Sequence, residues 1–302
     1  MAITTGSFAK ALWPGVNAWY GKAYDEHKVE YTDLFDKFTS RRAWEEDMGT
    51  SGFGLAAVKP EGNSIAYDTA QQGFLTRYRH VEYALGFTIT RNMVDDDLYD
   101  VIGKQRASAL AFSMRQTKEI LGANVYNRAF SNSYLGGDGV ELSSRLHPNV
   151  AGGVWENELA TPAALSEAAL EDMCILAMGL ENDRGLKISV MPQTLIIPPA
   201  LVFEADRILN SSLRVGTADN DLNSIKNMGK FPGGVKVNHY LTSDTAYFIR
   251  TNVKDGMKYF ELRADEFAMD NDFDTDNAKY KAQFRCSFGW SDARGVICNE
   301  GA

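Results

Sequence analysis

Residues 183–209, DRGLKISVMPQTLIIPPALVFEADRIL, set a buried strand and a helix on either side of a double proline. Leu186, Ile188 and Val190 alternate, and the apolar triplet Leu195, Ile196 and Ile197 follows, which is the pattern of a strand entering a core. Pro198 and Pro199 end it. Pro199 suits the first turn of a helix, where its missing N–H costs nothing, and Leu201, Val202, Ala205, Ile208 and Leu209 then share one face. Taken alone this is ordinary helix-and-sheet structure.

The flanking segments add order. Upstream stand Leu146-His147-Pro148-Asn149, then Gly152, Gly153 and Asn157, then an amphipathic helix over 166–178. In that helix Leu170, Met173, Cys174, Ala177 and Met178 form the apolar face, with Glu167, Glu171 and Asp172 outside. Downstream come TADNDLNSIKN at 217–227, the strand-like VKVNHYLTSDTAYFIRT at 235–251 and the closing YKAQFRCSFGWSDARGVICNEGA at 280–302. In this order and spacing the pieces resemble the major capsid proteins of tailed bacteriophages, the HK97-type fold, and within it the Mu-like head-subunit branch. The resemblance covers roughly the whole chain and rests on collinearity, since no single segment is diagnostic.

The 302 residues are 44% hydrophobic and 24% charged, a globular balance with room for one large or two ordinary domains. The net charge of -9 argues against a surface built to neutralise phosphates. It suits a container that encloses DNA without gripping it. The N-terminal MAITTGSFAKALWPGVNAWYGK has no apolar run of secretory or membrane-spanning length, which predicts folding in the cytoplasm and no membrane partner. Cys174, Cys286 and Cys298 are widely spaced among apolar neighbours and read as buried thiols of a reducing compartment.

Residues 1–48 hold Phe8, Trp13, Trp19, Tyr20, Tyr24, Tyr31, Phe35, Phe38 and Trp44 amid scattered charges. Such a segment must bury its aromatics. It does so either as a helix or two on the chain's own core or as an extended arm across a neighbouring subunit, and the resemblance favours the arm. From 49 to 90, a glycine-rich start and the turn Lys59-Pro60-Glu61-Gly62-Asn63 precede FLTRYRHVEYALGFTIT, which reads as a long strand of a two-stranded hairpin. An isolated hairpin is marginal in water and needs a partner surface. By resemblance this is the E-loop, which reaches over the adjacent subunit.

Asp95, Asp96 and Asp97 open a helix that runs to about residue 130, with Leu98, Ile102, Ala109, Phe112, Ile120, Ala123 and Phe130 on its apolar period. At 1.5 Å per residue it would be about 50 Å long. The resemblance makes it the spine helix. The α+β architecture expected is therefore an N-terminal arm (1–48), an E-loop hairpin (49–90), a peripheral domain (91–155), an axial domain (156–257) with a polar loop near 214–234, and a return to the peripheral domain (258–302).

No segment carries persuasive catalytic or cofactor chemistry. Gly52-Phe53-Gly54 meets the loosest dinucleotide fingerprint, but no buried strand precedes it and Pro60 and Gly62 forbid the helix that should follow. Asp272, Asp274 and Asp276 have the first spacings of a calcium loop, yet Asn277 replaces the turn glycine and Gln283 the bidentate glutamate, so a solvated acidic loop is expected. His27, His80, His147 and His239 lie in no zinc-binding spacing. His147 is the best functional candidate among them, and a structural histidine at a loop start is the plainer account. Some HK97-type shells join an E-loop lysine to a neighbour's asparagine. Lys59 with Asn299 and Glu300 has the residue types, but the expectation is a non-covalent shell with Lys59 as a charged tip residue. The function implied is a structural head protein that self-assembles, as pentamers and hexamers, into an icosahedral shell around packaged double-stranded DNA, with no catalytic, cofactor or metal site.

Phe8, Trp13, Trp19, Trp44, Lys59, Arg77 and Arg79 are the candidate inter-subunit contacts. The implied partners are further copies of the chain, a separate scaffolding protein, a portal and decoration proteins, in a virion assembled in the host cytoplasm. Encapsulin nanocompartments share the fold and enclose protein cargo, so they are the alternative shell. A soluble cytoplasmic enzyme or metal-binding protein is the alternative outside that class.

Overall fold

The computed structural model describes residues 6–90, 92–93, 102–213, 222–271 and 277–302, with side chains from 15 onward and backbone alone at 271. Two four-stranded sheets organise them. The first takes β1 (Asp36–Thr39), β10 (Met257–Asn271), β11 (Ala278–Trp290) and β4 (Val81–Ile89) in the order β1-β10-β11-β4. The second takes β12 (Val296–Asn299), β9 (Tyr247–Thr251), β7 (Pro192–Ile197) and β8 (Val235–Val237) in the order β12-β9-β7-β8. A separate hairpin joins β2 (Trp44–Thr50) to β3 (Gln72–Arg79), and a short pair joins β5 (His147–Pro148) to β6 (Val154–Trp155).

Two cores form, and the second sheet serves both, since its Ile196, Phe248, Val296 and Cys298 pack into the first. Alternate residues of β11, Ala278, Tyr280, Ala282, Phe284 and Cys286, turn inward as the pleat requires. They meet the long helix α3 (Lys104–Asn127), and α1 (Gly6–Glu26) lies against α3 in turn. Gly122 of α3 makes the approach of the short helix α2 (Tyr31–Leu34) close, since a Cβ there would stand 3.1 Å from Cβ of Tyr31 and 3.4 Å from the Phe288 ring. The second core gathers Leu170, Met173, Cys174 and Ala177 of α4 (Glu167–Gly179), Leu195 and Ile197 of β7, Tyr247 and Ile249 of β9 and Ile297 of β12.

The double-proline segment folds much as its pattern predicts. β7 begins at Pro192 rather than 186, because residues 186–190 form only an isolated bridge between Lys187 and Glu181. Pro199 opens a 3-10 turn that passes into α5 (Val202–Asn210), whose Ala205 and Ile208 are buried. Ser166 caps α4, its Oγ accepting the Ala169 N–H at 3.2 Å.

Four expectations need correction. Of the arm expected over 1–48, residues 6–48 are not extended in the single chain: α1 buries Val16, Tyr20 and Ala23 in the chain's own core, and β1 joins the first sheet parallel to β10. An apolar stripe at helical spacing found its cover on α3 and β10. The strand expected over 74–90 is two strands in two sheets. It breaks at His80, whose ring nitrogens meet Ser40 Oγ and Ser287 Oγ at 3.0 Å each, so the hairpin is residues 44–79 and its first strand comes from the supposed arm. The long helix is described from Lys104 to Asn127; Asp95 to Asp97 and Leu98 lie outside the described residues.

Its face also differs, since Ala109, Phe112 and Ile120 are exposed while Arg115, Lys118 and Glu119 are buried. Those charges have partners: Arg115 sits 4.0 Å over the Tyr24 ring, Lys118 pairs with Glu261 at 3.6 Å, and Glu119 accepts the Tyr31 N–H at 2.8 Å. Lastly, residues 258–302 do not all return to the first sheet, because β12 pairs antiparallel with β9 in the second.

Candidate subunit interface

The β2–β3 hairpin stands on the first sheet by its inner face. Trp44 opposes Arg79, Glu46 opposes Arg77 and Met48 opposes Leu75, so successive residues alternate between the two faces. Inward, Asp47 pairs with Lys258, Tyr78 packs 4.8 Å from the Phe260 ring and donates to or accepts from Ser291 Oγ at 2.6 Å, and Glu45 accepts from Ser40 Oγ at 2.7 Å. The Lys258 ammonium and the Ser291 hydroxyl hold the Asp47 carboxyl below its usual range against the opposing effect of burial. Burial pushes the Tyr78 phenol above its ordinary value.

The outward face of the hairpin is uncovered: Trp44, Met48 and Leu75 are exposed beside Glu46, Arg77 and Arg79, and Arg77 lies over the Trp44 ring at 5.8 Å while its Nε donates to Glu46 at 2.7 Å. The connecting loop 51–71 has no helix or strand and carries Phe53, Leu55, Val58, Ile65 and Tyr67 in the open, with Leu55, Val58 and Tyr67 82%, 92% and 90% exposed. Exposed apolar surface of this kind is typical of the surfaces that protein–protein contacts bury. At the hairpin's root a groove of 610 Å³ opens between β4, β11 and α3, lined by Arg79, Val81, Tyr83, Leu135 and Trp290 among others.

Of the predicted contact residues, the structure brings Trp44, Arg77 and Arg79 together on the hairpin's exposed face and puts Lys59 in its distal loop. Trp19 packs half-buried against the first core instead. The side chains of Phe8 and Trp13 lie outside the described residues, as do Asp272, Asp274 and Asp276. Asn299 is buried, with Nδ2 donating to Tyr247 OH at 2.8 Å and Oδ1 accepting the N–H groups of Ala163 and Gly301, which leaves it no face for a lysine. Sequence reasoning did not single out the exposed apolar residues Met48, Phe53, Leu55, Val58, Ile65, Tyr67 and Leu75. Their signal was apolar residues set in a glycine- and proline-containing stretch with no period that would bury them.

His147 is structural. It is fully buried, stacked on Trp155 at 4.4 Å, with its ring nitrogens 2.7 Å from Asp138 Oδ2 and 3.2 Å from Asn157 Oδ1. The three cysteines are free and buried. Among the described residues no group of three or more His, Cys, Asp or Glu side chains is placed to hold a metal ion, and no helix is long and apolar enough to cross a membrane.

A model of the family described as phage capsid protein matches residues 75–299, well over half of the chain. No curated protein matches the sequence. Among solved structures, a chain of the procapsid of bacteriophage JBD30 aligns with a TM-score of 0.53 at 14% identity, over 98% of this chain and 76% of that one. A capsid chain of the native GTA particle gives 0.55 at 14% identity over 90% of both. A chain of Microbacterium phage Oxtober96 gives 0.54 at 8% identity, over 91% of this chain and 92% of that one. At these identities the alignments establish a shared fold.

Proposed function

Because this chain belongs to the phage capsid protein family, we propose that it is the major head subunit of a tailed phage, assembling as pentamers and hexamers into a closed icosahedral shell. It is a structural capsid protein of the HK97-type fold, and its shell encloses packaged double-stranded DNA. The uncovered hairpin carries the proposal. A lone subunit gains nothing by holding Leu55, Val58 and Tyr67 in water, whereas apolar burial at about 25 cal/mol per Å² rewards their contact with a neighbour. Many such contacts around a shell add by multivalency even where each is modest.

In this reading Trp44, Arg77 and Arg79 rest on an adjacent copy and Lys59 remains a charged residue of the loop. Phe8, Trp13 and Trp19 keep their place as candidate contacts at the N-terminal helix. Scaffolding, portal and decoration partners follow from the role of a head subunit, as does assembly in the host cytoplasm, and placement in the Mu-like branch rests on the collinear segments of the sequence. Negative-stain electron microscopy of the purified chain, alone and co-expressed with neighbouring genes, tests the proposal. Closed shells, or rings of five and six, are expected; a persistent monomer under both conditions overturns it.

A further inference from the structure

The loop 51–71 is far longer than the roughly 12–15 residues beyond which structureless connections become uncommon and commonly functional. A single carboxylate organises it. Asp68 Oδ2 accepts the Gly54 N–H at 2.7 Å and Oδ1 accepts the Thr69 N–H at 2.8 Å, so one side chain ties the outgoing limb to the returning one. At the base, Ser51 and Gln71 exchange hydrogen bonds of 2.9 Å.

The same carboxylate receives Arg184 from the axial lobe. Arg184 Nη1 donates to both Asp68 oxygens, at 3.1 and 2.9 Å, and Nη2 donates to the Thr69 carbonyl. Among the described residues, Arg184 makes every hydrogen bond and ion pair that ties this loop to anything beyond the hairpin. Its own seat is firm. Asn182 Oδ1 accepts the N–H groups of Arg184 and Leu186 at 2.9 and 3.0 Å across a turn in which Gly185 takes a φ of 73°. Next to it Asp183 is held by the buried Arg294 at 3.0 Å, and Arg294 also donates to the Glu181 carbonyl and to Asn149 Oδ1.

A well-anchored arginine thus grips an otherwise loose, apolar loop through one exposed carboxylate. Resting on the head-subunit reading, we propose that Asp68 and Arg184 form an intrachain latch: it parks the loop 51–71 on the chain's own axial lobe in the free subunit and opens when the subunit joins a shell. With Nη1 shared between the two Asp68 oxygens and Nη2 on the Thr69 carbonyl, charge-assisted hydrogen bonds give the latch direction, while solvent exposure and salt screening keep it weak enough to be exchanged for apolar burial against a neighbour. Parked, the loop leaves Phe53, Leu55 and Tyr67 exposed but tied to its own chain, and the exchange frees it to reach over a second copy.

The test uses the full-length chain and three variants, Asp68→Asn, Arg184→Ala and the double variant, with two readouts. Limited chymotrypsin digestion of the free subunit, cutting after Phe53, Leu55 or Tyr67, measures release of the loop, and light scattering follows assembly. Both single variants are expected to be cut severalfold faster than wild type and to assemble from a lower concentration. The double variant should be cut no faster than Arg184→Ala, because the two groups act through each other. Wild-type cleavage should rise with salt and that of the variants should not. Equal cleavage rates, additive effects, or faster cleavage with slower assembly would each overturn the latch. A wild-type chain that forms no shell counts against the head-subunit reading instead, and the cleavage data then still decide whether Asp68 holds the loop.

Discussion

Asn157 Oδ1 lies 3.2 Å from His147 Nε2, and the same amide accepts the Ser144 N–H at 3.0 Å while its Nδ2 donates to the carbonyls of Leu142, Ala293 and Val296 at 2.7, 3.2 and 3.1 Å. One fully buried side chain therefore binds the loop after α3, the 3-10 turn Ala293–Gly295 and the start of β12, where the two sheets meet. Asn157→Ala strands several buried polar groups at about 1–3 kcal/mol each, so it should destabilise the subunit by about 3 kcal/mol or more in a denaturant titration. An unchanged midpoint would show that water or relaxation replaces the amide.

Asp265 offers a pH test. It accepts from Tyr20 OH beneath α1, its Oδ1 is buried without a partner, and burial raises its carboxyl above the ordinary 3.8 despite the Tyr20 bond and the nearby Lys118 and Arg115. A raised acid binds its proton more tightly in the folded chain, so its contribution is fully present below pH 3.8 and is lost as pH rises through its higher folded value. Asp265→Asn keeps an acceptor for Tyr20 and removes the ionisation. The variant should melt above wild type by a margin that grows as pH climbs from 3.8, whereas a margin constant with pH would place the ionisation elsewhere.

The hairpin's exposed face can be separated from its inner one. Leu55, Val58 and Tyr67 touch no core, so the triple change to Ser should leave the melting temperature of the free chain nearly unchanged, as surface substitutions usually stay within about 0.5 kcal/mol. Shell formation should be lost. Intact shells from the triple variant would move the interface off the loop.

The thiols should be silent in the folded chain. Burial pushes Cys174 up to about 11 and Cys286 up to about 12, and raises Cys298 as well, so the reactive thiolate is scarce and inaccessible at neutral pH. Ellman's reagent should count no thiol in native protein and three after denaturation. Rapid native reaction would reveal local opening around one of them.

Much of the second core was legible because its signals are local. Ser166 ahead of Leu170, Met173, Cys174 and Ala177 spells a capped amphipathic helix, and Pro198-Pro199 after Leu195, Ile196 and Ile197 spells a strand turning into a helix. The face of α3 was not legible. Its buried side includes Arg115, Lys118 and Glu119, residues whose partners Tyr24, Glu261 and Tyr31 come from distant parts of the chain. The exposed face of the hairpin was half legible: Trp44, Arg77 and Arg79 stood out by type, while the apolar loop residues had no periodicity to betray them.

What the sequence determined by itself was the set of elements whose hydrogen bonds close within a few residues, and the collinear order of segments that resembles a phage capsid protein. Tertiary structure decided the partners. Residues 74–90 could read as one strand because their composition is uniform, but β3 pairs with Trp44–Thr50 and β4 with β11, and the break between them is set by Ser40 and Ser287 around His80. In the same way α1 became a helix on α3 rather than an arm. Strand register and helix docking depend on groups that meet only when distant segments fold together, and no local pattern carries that information.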